Sequence, residues 1–184
     1  MSRITFVHGF NDGDAGADNI DKLAPYAIEK GYLPDTHSMD YGWRGLLGVR
    51  FLNNKTAKKL VESYQEGDIL VGYSNGCDII ARAIEIGLPV KQVIFIHPAL
   101  DASWEPPRNT TVETIMVYYS QHDKTTWLSS MLWFHRWGKM GTIGPMSRSS
   151  VFKYHNDNCN HFNWATKQPE LYLSTLPDAF NEED

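Results

Sequence analysis

Six short apolar runs alternate with stretches of helical pattern along the 184-residue chain, and this alternation constrains the fold more than any other feature. The runs are rich in β-branched and aromatic residues, as buried strands are. Strands separated by helices pair in parallel, because each helix carries the chain back across the sheet. The pattern predicts a single α/β domain over residues 1–184, a three-layer α/β/α sandwich around a mostly parallel six-stranded sheet.

The limits of these elements follow from apolar spacing and from the glycines and prolines that end each run. The predicted strands cover residues 3–8, 32–40, 68–73, 91–97, 112–119 and 150–155. The predicted helices cover residues 18–30, 53–66, 77–86, 126–140 and 162–174.

Charge and composition argue against several classes of partner. The formal net charge is −5 and no segment is dense in Lys or Arg, so neither nucleic acid nor an anionic membrane is expected as a partner. No apolar run is long enough to span a bilayer, and the first residues lack the pattern of a secretory signal. Cys77 and Cys159 make no disulfide framework, and no Cys/His cluster has zinc-like spacing. These features predict a cytoplasmic protein without a bound metal.

The segment Gly72-Tyr73-Ser74-Asn75-Gly76 lies where a predicted buried strand gives way to a predicted helix. A Gly-x-Ser-x-Gly sequence in that context is typical of a nucleophile elbow, a turn so tight that a Cβ two residues either side of the serine would collide with its neighbours. The turn exposes the serine hydroxyl at a helix N-terminus, where backbone N–H groups can stabilise an oxyanion. A chance match is the alternative, and the strand-to-helix context argues against it. We therefore expect Ser74 to be a nucleophile.

A serine attacks at neutral pH only when a base removes its proton and an acid orients that base. At this point the chain resembles the α/β-hydrolase family, whose catalytic triad runs nucleophile, acid and histidine along the sequence. The resemblance implies Asp123, directly after the fifth predicted strand, as the acid and His161, after the sixth, as the base. Asp157 is the alternative acid and His155 the alternative base, while His135 lies in a Trp-rich segment.

The first predicted strand ends at His8-Gly9-Phe10, which is similar to the family's His-Gly oxyanion motif. Carried onto this chain, the motif implies an oxyanion hole made by the backbone N–H groups of Phe10 and Asn75. For a member that lacks the family's first two strands, the family also implies the strand order 2-1-3-4-5-6. Winding then reverses between strands 1 and 3, where open α/β sheets bind their ligands.

The segment from Trp127 to Trp137 is apolar on more than one helical face. A helix that is apolar all round is either buried or covers something. Residues 126–140 therefore form a helix packed on the sheet or a flap that lines an acyl or aromatic pocket, and the two alternatives are compatible. Trp127 and Trp133 are candidate substrate-binding residues in this segment.

Further candidates for substrate binding stand at the predicted carboxyl edge of the sheet. Trp43 follows the second strand, Tyr73 precedes the nucleophile, and His8 ends the first strand. His97, at the end of the fourth strand, is interpreted as a structural strand end near the pocket.

The resemblance implies a minimal α/β-hydrolase fold and a small lipase-like or esterase-like serine hydrolase that lacks a cap domain. Such an enzyme cleaves a carboxylic ester or thioester through an acyl-enzyme and needs no cofactor, and its substrate is a small molecule or an acyl chain. An amidase or peptidase would use the same triad. A binding or scaffold protein that keeps the elbow without turnover is the alternative from a different class.

Overall fold

The computed structural model describes residues 2–10, 17–36, 46–129, 131 and 137–179. Its strands are β1 (Arg3–Val7), β2 (Leu33–Asp35), β3 (Ile69–Tyr73), β4 (Gln92–Ile96), β5 (Thr114–Tyr119) and β6 (Phe152–Asn156). Its helices are α1 (Ala24–Glu29), α2 (Leu46–Ser63), α3 (Asn75–Glu85), α4 (Lys124–Ser129), α5 (Met140–Ile143) and α6 (Trp164–Lys167). Two 3-10 turns cover Ile20–Leu23 and Pro169–Leu173.

The six strands form one parallel sheet in the order β2-β1-β3-β4-β5-β6. The predicted fold class and strand order are both confirmed. Strand β3 is buried along its whole length, because helices cover both faces of a parallel sheet. Because every strand runs the same way, the loops after β1, β3, β4, β5 and β6 meet at one edge of the sheet.

Successive residues of the central strands point into different apolar cores, as the two-residue period of a strand requires. Leu70 belongs to the core beneath α2 and α3, together with Leu60, Ile80 and Phe95. Val71 belongs to the core on the opposite face, where the first 3-10 turn and the C-terminal segment pack. Large side chains of that second core are Ile4, Phe6, Ile20, Leu23, Tyr118, Trp164 and Tyr172.

Several predicted helix limits were wrong. Residues 126–140 do not form one helix, because α4 ends at Ser129, Trp137 and Gly138 are not helical, and α5 begins only at Met140. The predicted helix 162–174 is divided at Gln168, whose backbone (φ −150°, ψ 56°) is not helical, and the helical conformation is disfavoured for a residue that precedes a proline.

Smaller corrections apply earlier in the chain. The predicted helix 18–30 is a 3-10 turn followed by α1, and Asn19 rather than Asp18 caps it, through a side-chain oxygen that accepts from the Ile20 N–H. Strand β2 spans three residues of the predicted 32–40. Helix α2 runs without a break from Leu46 to Ser63, so it begins before the predicted 53 and ends before the predicted 66. Within the described ranges, no helix is both long enough and apolar enough to cross a bilayer.

Candidate active site

Ser74 stands alone between β3 and α3, in the turn where the strand becomes a helix. Its backbone has φ 51° and ψ −115°, a left-handed conformation that non-glycine residues seldom adopt. The flanking glycines make this turn possible. A Cβ on Gly76 would lie 2.0 Å from the carbonyl oxygen of Val7, and one on Gly72 would lie 3.0 Å from the Cys77 nitrogen. The elbow is thus wedged between β1 and α3 with no room for another side-chain atom.

The structure brings Ser74, His161 and Asp123 into one hydrogen-bonded line. Ser74 Oγ lies 3.0 Å from His161 Nε2, and His161 Nδ1 lies 2.9 Å from Asp123 Oδ2. All three side chains are buried, with Asp123 fully so. With its proton on Nδ1, His161 donates to Asp123 and accepts from the Ser74 hydroxyl. The line can therefore move a proton from the serine to a histidine that an adjacent carboxylate stabilises.

The two carboxylate oxygens of Asp123 have different hydrogen-bond partners. Oδ1 accepts hydrogen bonds from the backbone N–H groups of Thr125 and Thr126, at 3.1 and 3.0 Å, and so caps α4. Oδ2 accepts from His161 and from His97. Burial alone would raise the pKa of Asp123, but the hydrogen bonds from His161 and His97 outweigh it and hold that pKa well below its usual value. Asp123 is therefore a fixed carboxylate, because helix capping and histidine binding use different oxygens.

The loop that carries His161 is tied to the elbow. The Tyr73 hydroxyl donates to the backbone carbonyl of His161 at 2.6 Å, and the two rings lie 5.1 Å apart. The Tyr73 ring also packs against Trp164, which begins α6. The residue next to Ser74 thus determines where the histidine sits.

The alternative acid and base lie elsewhere. Asp157, just after β6, contacts His97 rather than His161. His155 is exposed on β6, where its ring packs edge to face on Tyr118. His135 falls outside the described residues.

His97, which the sequence analysis interpreted as a structural strand end, has a carboxylate partner for each of its ring nitrogens. It is fully buried, its backbone has φ 46°, and its two ring nitrogens each lie 3.0 Å from a carboxylate oxygen, one of Asp123 and one of Asp157. The sequence analysis missed these contacts. The available signal was that acidic residues follow both β5 and β6, the strands next in order after the strand that carries His97.

A pocket of about 260 Å³ opens beside Ser74 Oγ. Its described lining includes Phe10, Tyr73, Ala99, Trp137 and Phe162, together with polar but uncharged Thr125, Thr126 and Asn19. No described lining residue is Lys, Arg, Asp or Glu. The pocket therefore suits an uncharged group.

Trp137, the last residue of the apolar segment that the sequence analysis proposed as a possible flap, lines the pocket. Its ring meets that of Phe10 edge to face at 5.4 Å, and its indole N–H donates to Asn75 Oδ1 at 3.0 Å. Asn53 of α2 donates to the same oxygen at 2.8 Å. Trp137 is therefore held against the elbow helix by its polar end while its ring forms a pocket wall.

The structure places the other predicted substrate-binding residues differently. Tyr73 lines the pocket, whereas His8 is buried beside the Gly9 carbonyl and is not among the described lining residues. Trp127 is half exposed and lines a separate depression on α4, so it is not a wall of this pocket. Trp43 and Trp133 lie outside the described residues.

The backbone groups expected to form an oxyanion hole flank Ser74. Phe10 lines the pocket just after β1, and Asn75 is the first residue of α3. Because β1 and β3 are paired neighbours, the loop after β1 and the N-terminus of α3 meet beside Ser74.

His97, Asp123 and His161 are close enough for one nitrogen or oxygen of each to meet at a metal ion, within 4.8 Å of one another. The hydrogen-bond pattern accounts for this proximity without a metal. Both histidines lie 2.9 to 3.0 Å from the same Asp123 oxygen, and the other nitrogen of each already has a partner, Asp157 for His97 and Ser74 for His161.

Comparison with known structures finds the same fold. A protein from Xanthomonas campestris pv. campestris, assigned to the hydrolases of the α/β superfamily, matches with a TM-score of 0.53 and 16% identity over 95% of both chains. A pyrethroid hydrolase, PytH, matches with a TM-score of 0.59 and 13% identity over 94% of both chains. The esterase domain of a Rhodothermus marinus protein gives 0.52 and 15%, over 92% of this chain and 84% of that one.

In sequence, the chain matches no family model and no curated protein. At identities this low, the structural matches establish the α/β-hydrolase fold, which the sequence analysis had predicted.

Proposed function

We propose that the protein is a serine hydrolase that cleaves a carboxylic ester or thioester, with Ser74 as nucleophile, His161 as general base and Asp123 as the acid that orients it. The observation that carries this proposal is the hydrogen-bonded line from Ser74 Oγ through the ring of His161 to Asp123 Oδ2, with steps of 3.0 and 2.9 Å. The strained backbone of Ser74 adds to it, because such strain is concentrated at functional sites.

The reaction proceeds in two halves. His161 Nε2 takes the hydroxyl proton as Ser74 Oγ attacks the acyl carbonyl, and the resulting imidazolium protonates the leaving oxygen or sulfur. A water molecule then enters, gives its proton to His161 and attacks the acyl-enzyme, which releases the acid and regenerates Ser74. Asp123 stays ionised throughout and stabilises the imidazolium across the 2.9 Å contact.

The oxyanion that forms in each half needs donors that already point at it. Backbone N–H groups of Phe10 and Asn75 fill this role in the proposal, because the two residues flank Ser74 from β1 and from α3. Donation from a helix N-terminus adds the favourable end of the helix dipole to the Asn75 contribution.

The pocket favours a small, uncharged acyl group. Its volume of about 260 Å³ is below the range of roughly 300–1,000 Å³ common for drug-sized ligands. It still exceeds the roughly 150 Å³ of an engineered apolar cavity that accepts benzene. We therefore expect short aliphatic or single-ring acyl groups to be cleaved in preference to long or charged ones.

A fluorophosphonate probe tests the proposal, because it reacts covalently with activated serines. We expect one adduct per chain by intact-mass spectrometry, no adduct on Ser74→Ala, and normal labelling of Ser174→Ala, which alters an exposed serine outside the pocket. A folded wild-type protein that does not react at Ser74 would show that the fold serves binding alone.

Turnover measurements are needed to identify the leaving group, since an amidase or peptidase would use the same triad. A panel of acetyl, butyryl, octanoyl and benzoyl esters, with matching thioesters and anilides, should give Ser74-dependent turnover that is fastest for the short esters and thioesters. Faster turnover of the anilides would identify an amidase instead.

The cytoplasmic location remains part of this proposal. Its support is that Cys77 and Cys159 are both buried and unpaired, as is usual in a reducing compartment. Fractionation of cells that express the chain at native level would test it.

A further inference from the structure

His97, just after β4, contacts the same Asp123 oxygen as His161 does. Its Nδ1 is 3.0 Å from Asp123 Oδ2 and its Nε2 is 3.0 Å from Asp157 Oδ2. A neutral imidazole carries one N–H and could donate to only one of these oxygens, leaving a lone pair facing the other carboxylate. A ring protonated on both nitrogens donates to both. The geometry therefore favours a buried imidazolium between two carboxylates.

The second carboxylate is itself firmly held. Asp157 Oδ2 also accepts from the Tyr172 hydroxyl at 2.7 Å, and its Oδ1 accepts from the Cys159 N–H at 2.9 Å. Hydrogen bonds thus run continuously from Ser74 to Tyr172, through His161, Asp123, His97 and Asp157. Such a fully satisfied buried network is rigid, because no member can turn without leaving a partner unpaired.

The groups that face His97 favour its protonated form. Burial alone would lower the pKa of His97, but the hydrogen bonds to Asp123 and Asp157 outweigh it and raise that pKa to about 9. The ring of His161 lies 5.9 Å away, edge to face. Tyr172 and Cys159, beyond Asp157, both have pKa values raised mainly by burial, so they stay neutral at physiological pH.

We propose that His97 is a positioning residue: a fixed buried cation that locks the Asp123 carboxylate onto His161 and offsets part of the negative charge of that carboxylate. The inference rests on the proposed function, since His97 acts on Ser74 only through Asp123 and His161. Asp157 holds the cation in place from behind.

The protonation state of His97 can be measured on the unaltered protein. Long-range ¹H–¹⁵N spectra of the imidazole nitrogens should show His97 with both nitrogens protonated from pH 6 to pH 8. A neutral His97 at pH 7 would overturn the proposal, whatever the activity of the protein.

His97→Asn tests the effect on His161 with little risk to the fold. Asparagine tolerates a positive φ well and can still donate to Asp123 from near the Nδ1 position, but it carries no charge. Removing a cation about 6 Å from His161 should raise the midpoint of the acid limb of the labelling rate by about one pH unit. His155→Asn, the same change at the exposed histidine of β6, should leave the midpoint where it is in the wild type.

A second variant separates orientation from charge. His97→Leu removes both donors, so the maximal labelling rate should fall about 10- to 100-fold, as when outer hydrogen-bond partners of a functional histidine are lost. His97→Asn should recover most of that rate while keeping the shifted midpoint. If His97→Asn had both the labelling rate and the midpoint of the wild type, the role of His97 would be purely structural, which would contradict the proposal.

The two proposals fail in distinguishable ways. Absence of Ser74 labelling in the wild type rejects the proposed function, and the imidazole spectra still decide the charge of His97. Normal wild-type labelling with an unshifted midpoint in folded His97→Asn rejects the role of His97 alone.

Discussion

The hydroxyl of Tyr73 donates a 2.6 Å hydrogen bond to the backbone carbonyl of His161, so the residue that precedes the proposed nucleophile holds the loop of the proposed base. The bond is buried and joins residues 88 positions apart in sequence. It ties the loop after β6 to the elbow, and His161 Nε2 on that loop lies 3.0 Å from Ser74 Oγ.

Replacing Tyr73 by Phe should therefore reduce activity more than stability. Loss of one buried hydrogen bond costs about 1 kcal/mol of unfolding free energy. Without this hydrogen bond the His161 loop is less firmly held, so the imidazole spends less time in line with Ser74. We expect kcat to fall about tenfold or more. Ester hydrolysis and urea unfolding measure the two effects. Tyr119→Phe, which removes a hydroxyl on β5 outside the site, should change neither; equal kcat for Tyr73→Phe and the wild type would contradict this role.

The two glycines of the elbow should differ in what they tolerate. The Cβ of Gly76→Ala would meet the backbone oxygen of Val7 at 2.0 Å, whereas that of Gly72→Ala is closest to the flexible end of Ile80, at 2.8 Å. Backbone cannot yield as a side chain can, so Gly76→Ala should lose more than about 4 kcal/mol or fail to fold, and Gly72→Ala should lose less. Denaturant unfolding of both gives the order, and a more stable Gly76→Ala would show that the elbow has room.

Stability should depend on pH through His97. Below its ordinary pKa of 6.5, His97 is protonated both folded and unfolded, and its contribution is complete. As pH rises from 6.5 through about 9, the unfolded chain releases this proton first, and the stabilisation is lost. The loss corresponds to about 3 kcal/mol.

Urea unfolding at intervals from pH 6 to pH 9.5 measures that decline. The wild type and His155→Asn should show it, and His97→Asn should show a flatter profile. Parallel profiles for all three proteins would mean that His97 does not carry the proton.

Trp137 should limit the size of the acyl group. Its ring closes one wall of the pocket against Phe10, while Trp127 stands half exposed outside it. Trp137→Ala should shift the preference in kcat/KM from acetyl toward octanoyl esters, and Trp127→Ala should leave the chain-length profile unchanged. The opposite result would make α4, which carries Trp127, the substrate-binding flap.

The resemblance to the α/β-hydrolase family, carried by the elbow motif, predicted the strand order and the approach of Ser74, Asp123 and His161. Each of these residues follows a strand, and a parallel sheet collects such positions at one edge. Sequence alone did not place His97 against Asp123 and Asp157, because that contact depends on rings and carboxylates from three loops whose side-chain directions no local pattern specifies.

Helix limits were less predictable for a related reason. The apolar residues in 126–140 predicted one helix, but tertiary packing determines where the helix ends. A Cβ on Gly138 would lie 2.4 Å from the Cα of Asp101, so the chain passes too close to its neighbour there for most side chains. The contacts of Trp137 with Phe10 and Asn75 depend on that path, and helical spacing alone could not predict them.

The choice of acid should show in substitutions of the two candidates. Asp123→Asn should lower kcat by about 10⁴, because an amide can hold His161 in the wrong tautomer and cannot stabilise its imidazolium. Asp157→Asn, which acts only through His97, should keep substantially more activity. A larger loss for Asp157→Asn would reverse the assignment of the acid.

The most direct test of the account is the rate of p-nitrophenyl acetate hydrolysis by His161→Ala beside His155→Ala, with Ser74→Ala as the blank. His161 lies 3.0 Å from Ser74 Oγ, and His155 is an exposed residue of β6. We predict that His161→Ala falls to the level of Ser74→Ala, a loss of about 10⁴-fold or more, while His155→Ala keeps the wild-type rate. Wild-type turnover by a folded His161→Ala would contradict the account.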